Sequence, residues 1–288
     1  MILDRNKKIL VVGLGLIGGS YAAALSDVGF EVGGIDASAA SVACALERGF
    51  IAHGQSEVTA EYVGKFDVIV FALYPHVLLE WTEAYASFMK SGALVTDVTG
   101  VKTGVVYRMQ ELLGERAEFV GAHPMAGREV SGVQNADKTL FHGANYIVTP
   151  TKANSEEAIL LCEALGRAIG VRSISRLSPE DHDEMIGFLS QLTHCIAVSL
   201  MTCKESRHLV DYTGDSFRDL TRIAKINENM WSELFLLNKT ELLSQMDLFL
   251  ENFCALRDEL EREDREAIMQ RMRLSTERRR YFDRKENG

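Results

Sequence analysis

The stretch Val11-Val12-Gly13-Leu14-Gly15-Leu16-Ile17-Gly18-Gly19-Ser20 limits what this chain can fold into more than any other. An apolar run from Ile9 to Val12 meets glycines in a G-x-G-x-x-G pattern, and a helix-forming segment from Tyr21 to Val28 follows. Glycine serves there for a tight turn, for close approach of backbone to a pyrophosphate, and for close packing of helix on strand. The helix N-terminus then offers N–H groups and positive dipole charge to that pyrophosphate. The same pattern also arises by chance as a plain turn. Here a strand precedes it, a helix follows, and Asp36 ends the next apolar run, Glu31 to Ile35. Gly13, Gly15, Leu16, Ile17 and Gly18 are the candidate cofactor loop. Asp36 is the candidate acceptor for ribose hydroxyls, its competing role being a helix cap before Ser38. No arginine or lysine follows Asp36 before Arg48, so nothing waits for a 2′-phosphate, and the expected cofactor is NAD rather than NADP.

The alternation of strand and helix continues. Asp67 to Leu73 is a continuous apolar run, as in a strand buried on both faces, and Pro75 stops it. A helix is expected over 77–89, then strands over Ala93 to Val98 and Phe119 to Ala122, the latter ending at His123-Pro124. Residues 124–143 read as a loop, Ala144 to Val148 as a strand, 155–169 as a helix and Val171 to Ser175 as a last short strand. The fold class is α/β, with a Rossmann-like, doubly wound, mainly parallel sheet. Ligands bind such sheets beyond the carboxyl ends of the strands, where Asp36, Tyr74, Thr99 and His123 fall.

At Ser178-Pro179-Glu180-Asp181 a strong helix start appears and strand signals cease. Helices are expected from 179 to about 204, over about 216–226 and from about 231 onward. The chain therefore divides into residues 1–176, which bind the dinucleotide, and residues 177–288, an all-helical substrate-binding and dimerisation domain. Leu242, Met246, Phe249, Phe253, Leu256 and Leu260 recur as a heptad-like seam, which favours a homodimer. The charged tail beyond Glu261 reads as a solvated helix end.

The formal net charge of −10 disfavours nucleic acid and anionic membrane surfaces as partners. An anionic small substrate would need a local basic cluster. The five cysteines are scattered without a C-x-x-C pair, so reduced thiols are expected and no metal site. No apolar stretch is expected to reach the ~18 residues that cross a membrane, which makes a cytoplasmic protein the expectation.

His123, at the ligand edge of the sheet, is the first candidate for chemistry, because an imidazole suits removal of a hydroxyl proton as hydride leaves. Asp183, Gly187, Ser190 and His194 share one helix face, a stripe better suited to a cleft wall than to a core. His182 points about 100° away from that face. Asp219 and Arg222 lie at i,i+3, either as a structural ion pair or as a carboxylate clamp, Arg222 held by Asp219.

Taken together, G-L-G-L-I-G-G-S, T-D-V-x-G-V-K (Thr96 to Lys102), G-A-H-P-M-A-G-R-E-V-S-G (Gly121 to Gly132), S-x-L-x-H (Ser190 to His194) and F-R-D-x-T-R-I-A (Phe217 to Ala224) with Trp231 resemble the prephenate dehydrogenases, in the family order. The resemblance implies NAD-dependent oxidative decarboxylation of prephenate to 4-hydroxyphenylpyruvate in tyrosine biosynthesis, with arogenate dehydrogenation as the alternative. It implies that His123 accepts the ring-hydroxyl proton, that His194 and Ser190 contact substrate and that Arg222 holds a carboxylate, with Lys102 and Arg128 adding positive potential. Many relatives carry a serine where this chain has Gly100, so either Thr99 supplies the hydroxyl near substrate or water or backbone orients His123. Many also have S-H-L-P-H where Ser190-Gln191-Leu192-Thr193-His194 stands, and loss of the proline should make that helix more regular. Steady-state preference between prephenate and arogenate is expected to favour prephenate, because His194 sits where prephenate-preferring relatives have histidine.

Overall fold

In the computed structural model, which describes residues 4–128, 130–205 and 207–283, the apolar runs form the strands of one sheet. In chain order these are β1 (Ile9–Val12), β2 (Val32–Ile35), β3 (His53–Gln55), β4 (Val68–Phe71), β5 (Ala93–Asp97), β6 (Ala117–Pro124), β7 (Asn145–Thr149) and β8 (Ser173–Arg176). Their order across the sheet is β3-β2-β1-β4-β5-β6-β7-β8. β1, β2, β4 and β5 are buried along their whole length, as parallel strands covered by helices on both faces must be. The helices of this region are α1 (Leu16–Asp27), α2 (Ala39–Glu47), α3 (Ala60–Val63), α4 (Pro75–Tyr85), α5 (Thr103–Leu113) and α6 (Glu156–Ala168). One core face gathers Ile9, Val11, Tyr21, Val70, Val120, Tyr146 and Leu165, and the other Leu10, Val12, Ile69, Phe71, Val95, Val105 and Phe119.

The sheet is mainly parallel, as expected, and among the described residues its one antiparallel pairing falls at β6. Its first half pairs parallel with β5, from Ala93↔Ala117 to Thr96↔Val120, and its second half pairs antiparallel with β7, from Gly121↔Thr149 to Pro124↔Tyr146. The reason is the connection: the described residues between β6 and β7 return the chain as a loop with a short 3-10 turn at Val133–Asn135, whereas a parallel neighbour needs a helical crossover. β8 then runs parallel to β7 after α6.

Beyond the sheet come α7 (Pro179–Ile186), α8 (Leu192–Thr202), α9 (Asp215–Thr221), α10 (Glu228–Leu237), α11 (Lys239–Glu261) and α12 (Arg265–Arg279). Ser178 caps α7 as expected, its hydroxyl accepting the Asp181 N–H at 3.0 Å. Between α7 and α8 the helix is not regular. Gly187–Gln191 is a π-helical turn, so the expectation of a smoother helix without proline fails. The Ser190 carbonyl there accepts from the Thr193 hydroxyl at 2.6 Å and from His194 Nδ1 at 2.9 Å. The whole stretch Pro179–Thr202 contains an apolar window of mean hydropathy 1.4, long enough by composition to cross a membrane, contrary to expectation. It also carries buried His182, Asp183 and Gln191, whose partners lie on the sheet domain and on α10, which is the bonding of a helix built into a core.

Chain compactness divides the molecule into residues 1–239 and 240–288. Within the second unit, α11 turns through Glu263, at φ 55°, into α12, and Arg271 grips Glu259 through Nε and Nη2 at 3.0 and 2.6 Å. Leu248, Phe253, Leu260, Met272 and Leu274 are all exposed. Of the seam, Leu242 is buried, Met246, Phe249 and Leu256 are half-buried, and Phe253 and Leu260 are exposed. The tail's residues 284–288 lie outside the described residues.

The turn from β1 to α1 shows why glycine stands where it does. Gly13 has φ +92°, and a Cβ on it would lie 2.4 Å from the Ala72 carbonyl oxygen at the end of β4. A Cβ on Gly18 would lie 1.8 Å from the Gly13 oxygen. Gly18→Ala should therefore destabilise the fold by about 1–3 kcal/mol through overpacking. Urea unfolding of the purified variant measures this, and an unchanged midpoint would show that the turn yields freely.

Candidate active site

The cradle for a dinucleotide is built by the same turn. α1 begins without a side-chain cap at Gly15, and a Cβ placed on Gly15 meets nothing within 4 Å. Uncapped N–H groups thus face open space, which is what a pyrophosphate requires. Asp36 stands at the tip of β2. Its Oδ2 accepts the Leu14 N–H at 2.6 Å and its Oδ1 the Ser38 N–H at 2.8 Å. Each oxygen keeps a lone pair for a ribose hydroxyl, so the carboxylate both shapes the loop and faces the ligand edge. The helix cap belongs to Ser38, whose hydroxyl accepts the Ser41 N–H, and not to Asp36. Arg48 is spent elsewhere: its guanidinium donates to the carbonyls of Val133, Gln134 and Ala136 and lies 4.4 Å over the Phe50 ring. The residues present fit NAD and offer no cation to a 2′-phosphate.

His123 owes its place to the end of the β5–β6 ladder. Past Thr96 the backbone bonds stop, and side chains take over. Asp97 Oδ1 accepts the Ala122 N–H at 3.0 Å, and Lys102 Nζ donates to the Ala122 carbonyl at 2.6 Å. Lys102 and Asp97 are themselves an ion pair at 2.7 Å with no solvent exposure on either side chain. Burial pushes the Lys102 ammonium below its usual range, against the pull of Asp97. Lys102 therefore lies beneath the site with its charge committed to Asp97, where the family resemblance implied that it would add positive potential for the substrate. Thr99 is buried too, its one hydroxyl hydrogen lying between Asp97 Oδ2 and the Val101 carbonyl, while its oxygen accepts from Lys102 Nζ at 3.3 Å.

The partner of the His123 imidazole is one the sequence reading set aside. His123 Nδ1 lies 2.9 Å from His182 Nε2, and His182 Nδ1 lies 2.8 Å from Asp183 Oδ1. The 100° between neighbouring helix positions does not keep His182 and Asp183 apart: the His182 ring reaches Asp183 through Nδ1 and His123 on β6 through Nε2. Asp183 Oδ1 and Oδ2 accept the N–H groups of Lys102 and Thr103, each at 2.8 Å. Asp183 is thus the cap of α5 and buried, not an open cleft wall. Burial acts to raise its carboxyl, but the bonds from His182 and Thr103 outweigh that and hold it below the ordinary value. Burial, then His182, then Lys102 hold the His123 pKa well below 6.5. Its Nε2 has no partner among the described residues, and a Cβ on Gly100 would sit 3.9 Å from its Cε1.

A second group stands on the helices. His194, half-buried, stacks on Trp231 with centroids 3.8 Å apart, and its Nδ1 bonds the Ser190 carbonyl. α8 packs on α9 and on the Arg222–Ala224 turn, which brings Arg222, an exposed residue, to the same neighbourhood. Asp219 is exposed on α9. Arg128 is exposed in the loop after β6 and pairs with Asp137 at 3.0 Å, while its neighbour Glu129 lies outside the described residues. Asn238 joins α10 to this region: its Nδ2 donates to the Asp183 carbonyl and to Gln191 Oε1. Asn238 lies in no motif, and Gln191 fills the unspecified second position of S-x-L-x-H. Both matter because buried amides must be paired.

No group of histidine, cysteine, aspartate or glutamate suited to a metal occurs among the described residues. Asp97→Asn should leave the Lys102 ammonium buried without its counter-charge, a loss of about 3–5 kcal/mol. Chemical denaturation at neutral pH measures it. A loss below about 1 kcal/mol, the range of a surface pair, would deny the pair a structural role.

Comparison with known proteins agrees with this geometry. The family model described as the prephenate dehydrogenase nucleotide-binding domain matches residues 21–175, and that described as the prephenate dehydrogenase dimerization domain matches residues 178–274. The prephenate dehydrogenase of Bacillus subtilis is 33% identical over 267 residues, 90% of this chain and 72% of that one. The structure of prephenate dehydrogenase from A. aeolicus in complex with hydroxyphenyl propionate and NAD+ superposes with a TM-score of 0.88 at 30% identity, covering 96% of this chain and 98% of that one. The Synechocystis arogenate dehydrogenase structure shares the fold, with a TM-score of 0.83 at 24% identity over 96% and 99% of the two chains. With both domain models matched in sequence order and a hydrogen-bonded histidine at the carboxyl edge of the nucleotide-binding sheet, this chain belongs to the prephenate dehydrogenase family.

Proposed function

We propose that the protein oxidises and decarboxylates prephenate to 4-hydroxyphenylpyruvate with NAD, in the synthesis of tyrosine. The observation that carries this reading is the state of His123: held neutral by burial, tied through Nδ1, and presented at the ligand edge of the sheet. Residues 1–176 would hold the dinucleotide on the Gly13–Gly18 turn, with Asp36 on the adenosine ribose. Residues 177–288 would bind substrate and pair two subunits. With NAD bound as hydride acceptor, oxidation of the carbinol carbon lets the ring carboxylate leave as carbon dioxide and the ring become aromatic. His123 Nε2 takes the hydroxyl proton in that step. Arg222 would hold a substrate carboxylate through its planar guanidinium, and the His194–Trp231 stack, with Ser190 beside it, would line the substrate side. Thr99 and Lys102 act from beneath, through Asp97 and the Ala122 backbone. Arg128 and Asp219 remain candidates for supporting charge at the rim and beside Arg222.

Four measurements test the reading. Spectrophotometric turnover with prephenate and with arogenate, each with NAD and NADP, should give the highest kcat/KM for prephenate with NAD. A higher value with arogenate would assign the alternative substrate. His123→Asn should lower kcat by ~10²–10⁴ with little change in KM. Because the folded pKa of His123 lies below 6.5, the base is already neutral at pH 7. Wild-type kcat/KM should then climb through an acid limb below pH 6.5 and stay level above it, while a limb centred above pH 7 would speak against this base. Arg222→Ala should act mainly on KM, by about 2–4 kcal/mol, and an unchanged KM would remove it from the carboxylate site.

The exposed apolar residues of α11 and α12 fit burial against a second copy of the chain, in keeping with the family model matched there. Light scattering at micromolar concentration should give the mass of a dimer; a mass of 32.0 kDa would exclude it.

A further inference from the structure

We infer that His182 and Asp183 are positioning residues that lock the imidazole of His123 in the one neutral tautomer able to take a proton at Nε2. This rests on His123 being the base in the proposed reaction, and it adds what directs that base.

The argument follows the hydrogens. Asp183 accepts two backbone N–H groups at the start of α5, one on each oxygen, and its carboxyl is held below the ordinary value, so it is an acceptor only. The hydrogen in the 2.8 Å contact between Asp183 Oδ1 and His182 must then sit on His182 Nδ1. A neutral His182 has its lone pair on Nε2, and that atom lies 2.9 Å from His123 Nδ1. The hydrogen of this second contact therefore belongs to His123 Nδ1, which leaves the His123 lone pair on Nε2, the atom without a partner. A fixed backbone dipole sets the direction of the whole chain.

The polarity depends on His182 staying neutral. Were it protonated, it would donate at both ends, and His123 would have to carry its own hydrogen on Nε2. The groups facing the pair are Asp183 beside His182 on α7, and Asp97 and Lys102 from the end of β5 and the start of α5. Burial and the Lys102 ammonium oppose a charge on His182, against the pull of Asp183 and Asp97. When His123 takes the substrate proton on Nε2, its Nδ1–H still points at His182 Nε2, and His182 still donates to Asp183. The new positive charge meets dipoles already oriented for it, which requires no reorganisation. No proton has to reach Asp183, whose oxygens are already occupied by donors.

Nitrogen-15 NMR of the full-length, histidine-labelled protein without substrate reads the tautomers directly. Nδ1–H on both His123 and His182 is expected, and Nε2–H on His123 in the wild-type chain would overturn the inference. In Asp183→Ala no acceptor fixes the hydrogen on His182 Nδ1, so the row of hydrogens loses its direction and both tautomers of His123 are expected, with kcat lowered. Nδ1–H alone at His123 with unchanged kcat in this variant would overturn the inference.

Loss of the α5 cap can also unfold Asp183→Ala, so His182 supplies a second comparison. In His182→Gln the amide carries a donor and an acceptor in the same order as the imidazole, and kcat should stay within about tenfold of wild type. In His182→Phe the acceptor for His123 Nδ1–H is gone, and kcat should fall by at least ~10². Equal losses in the two would indicate packing alone and overturn the positioning role. Because the NMR arm needs no turnover, wild-type protein inactive on both prephenate and arogenate but with Nδ1–H at His123 would refute the proposed reaction and leave the positioning intact.

Discussion

The buried pair of Asp97 and Lys102 is the contact on which the rest of the site depends. Two opposite charges with no exposure gain little net stability over a well-packed apolar pair, because desolvation consumes much of their attraction. What they supply here is placement. Between them they take both backbone groups of Ala122, one residue before His123, at the point where β6 leaves β5 for β7. A backbone ladder could not do this, since the ladder on that side has ended at Val120. Lys102 also contributes its own N–H to Asp183, so one residue ties the sheet edge to α7.

The glycine turn and the histidine site follow different physical rules. At Gly13 and Gly18 the requirement is steric, and a single Cβ is enough to collide with backbone. At His123 the requirement is electrostatic and directional, met by a row of groups, each fixing the hydrogen of the next. The π turn at Gly187–Gln191 belongs to the second kind. Within it the Ser190 carbonyl receives the Thr193 and His194 side chains, and the His194 bond orients the ring that lies 3.8 Å from Trp231.

Local rules reached a good part of the molecule. Strands buried on both faces announce themselves as apolar runs, and Ser178-Pro179 marks a helix start through its own neighbours. β3 and α5 gave no such signal. β3 is a three-residue edge strand, too short for any periodicity. α5 lacks a local cap because its cap is Asp183, eighty positions away for Thr103. His182 was passed over for a related reason: helix geometry places it off the Asp183 face, and only the approach of β6 and α5 makes the two side chains partners.

The sequence by itself determined the nucleotide-binding sheet, the edge on which its ligand sits, the presence of Asp36 and the candidacy of His123, because each follows from contacts close along the chain. The tertiary structure decided where Lys102 spends its charge, that Thr99 faces Asp97, how β6 changes partners, and which residue stands behind His123. Thr99 and Lys102 meet Asp97 only two and five positions away, but Lys102 finds the Ala122 carbonyl 20 positions off and His123 finds His182 59 positions off, where a buried donor or acceptor must take whatever partner the packing brings to it. The G-x-G-x-x-G turn fixes the chemistry it needs with its own atoms. The histidine acquires its tautomer only from the fold.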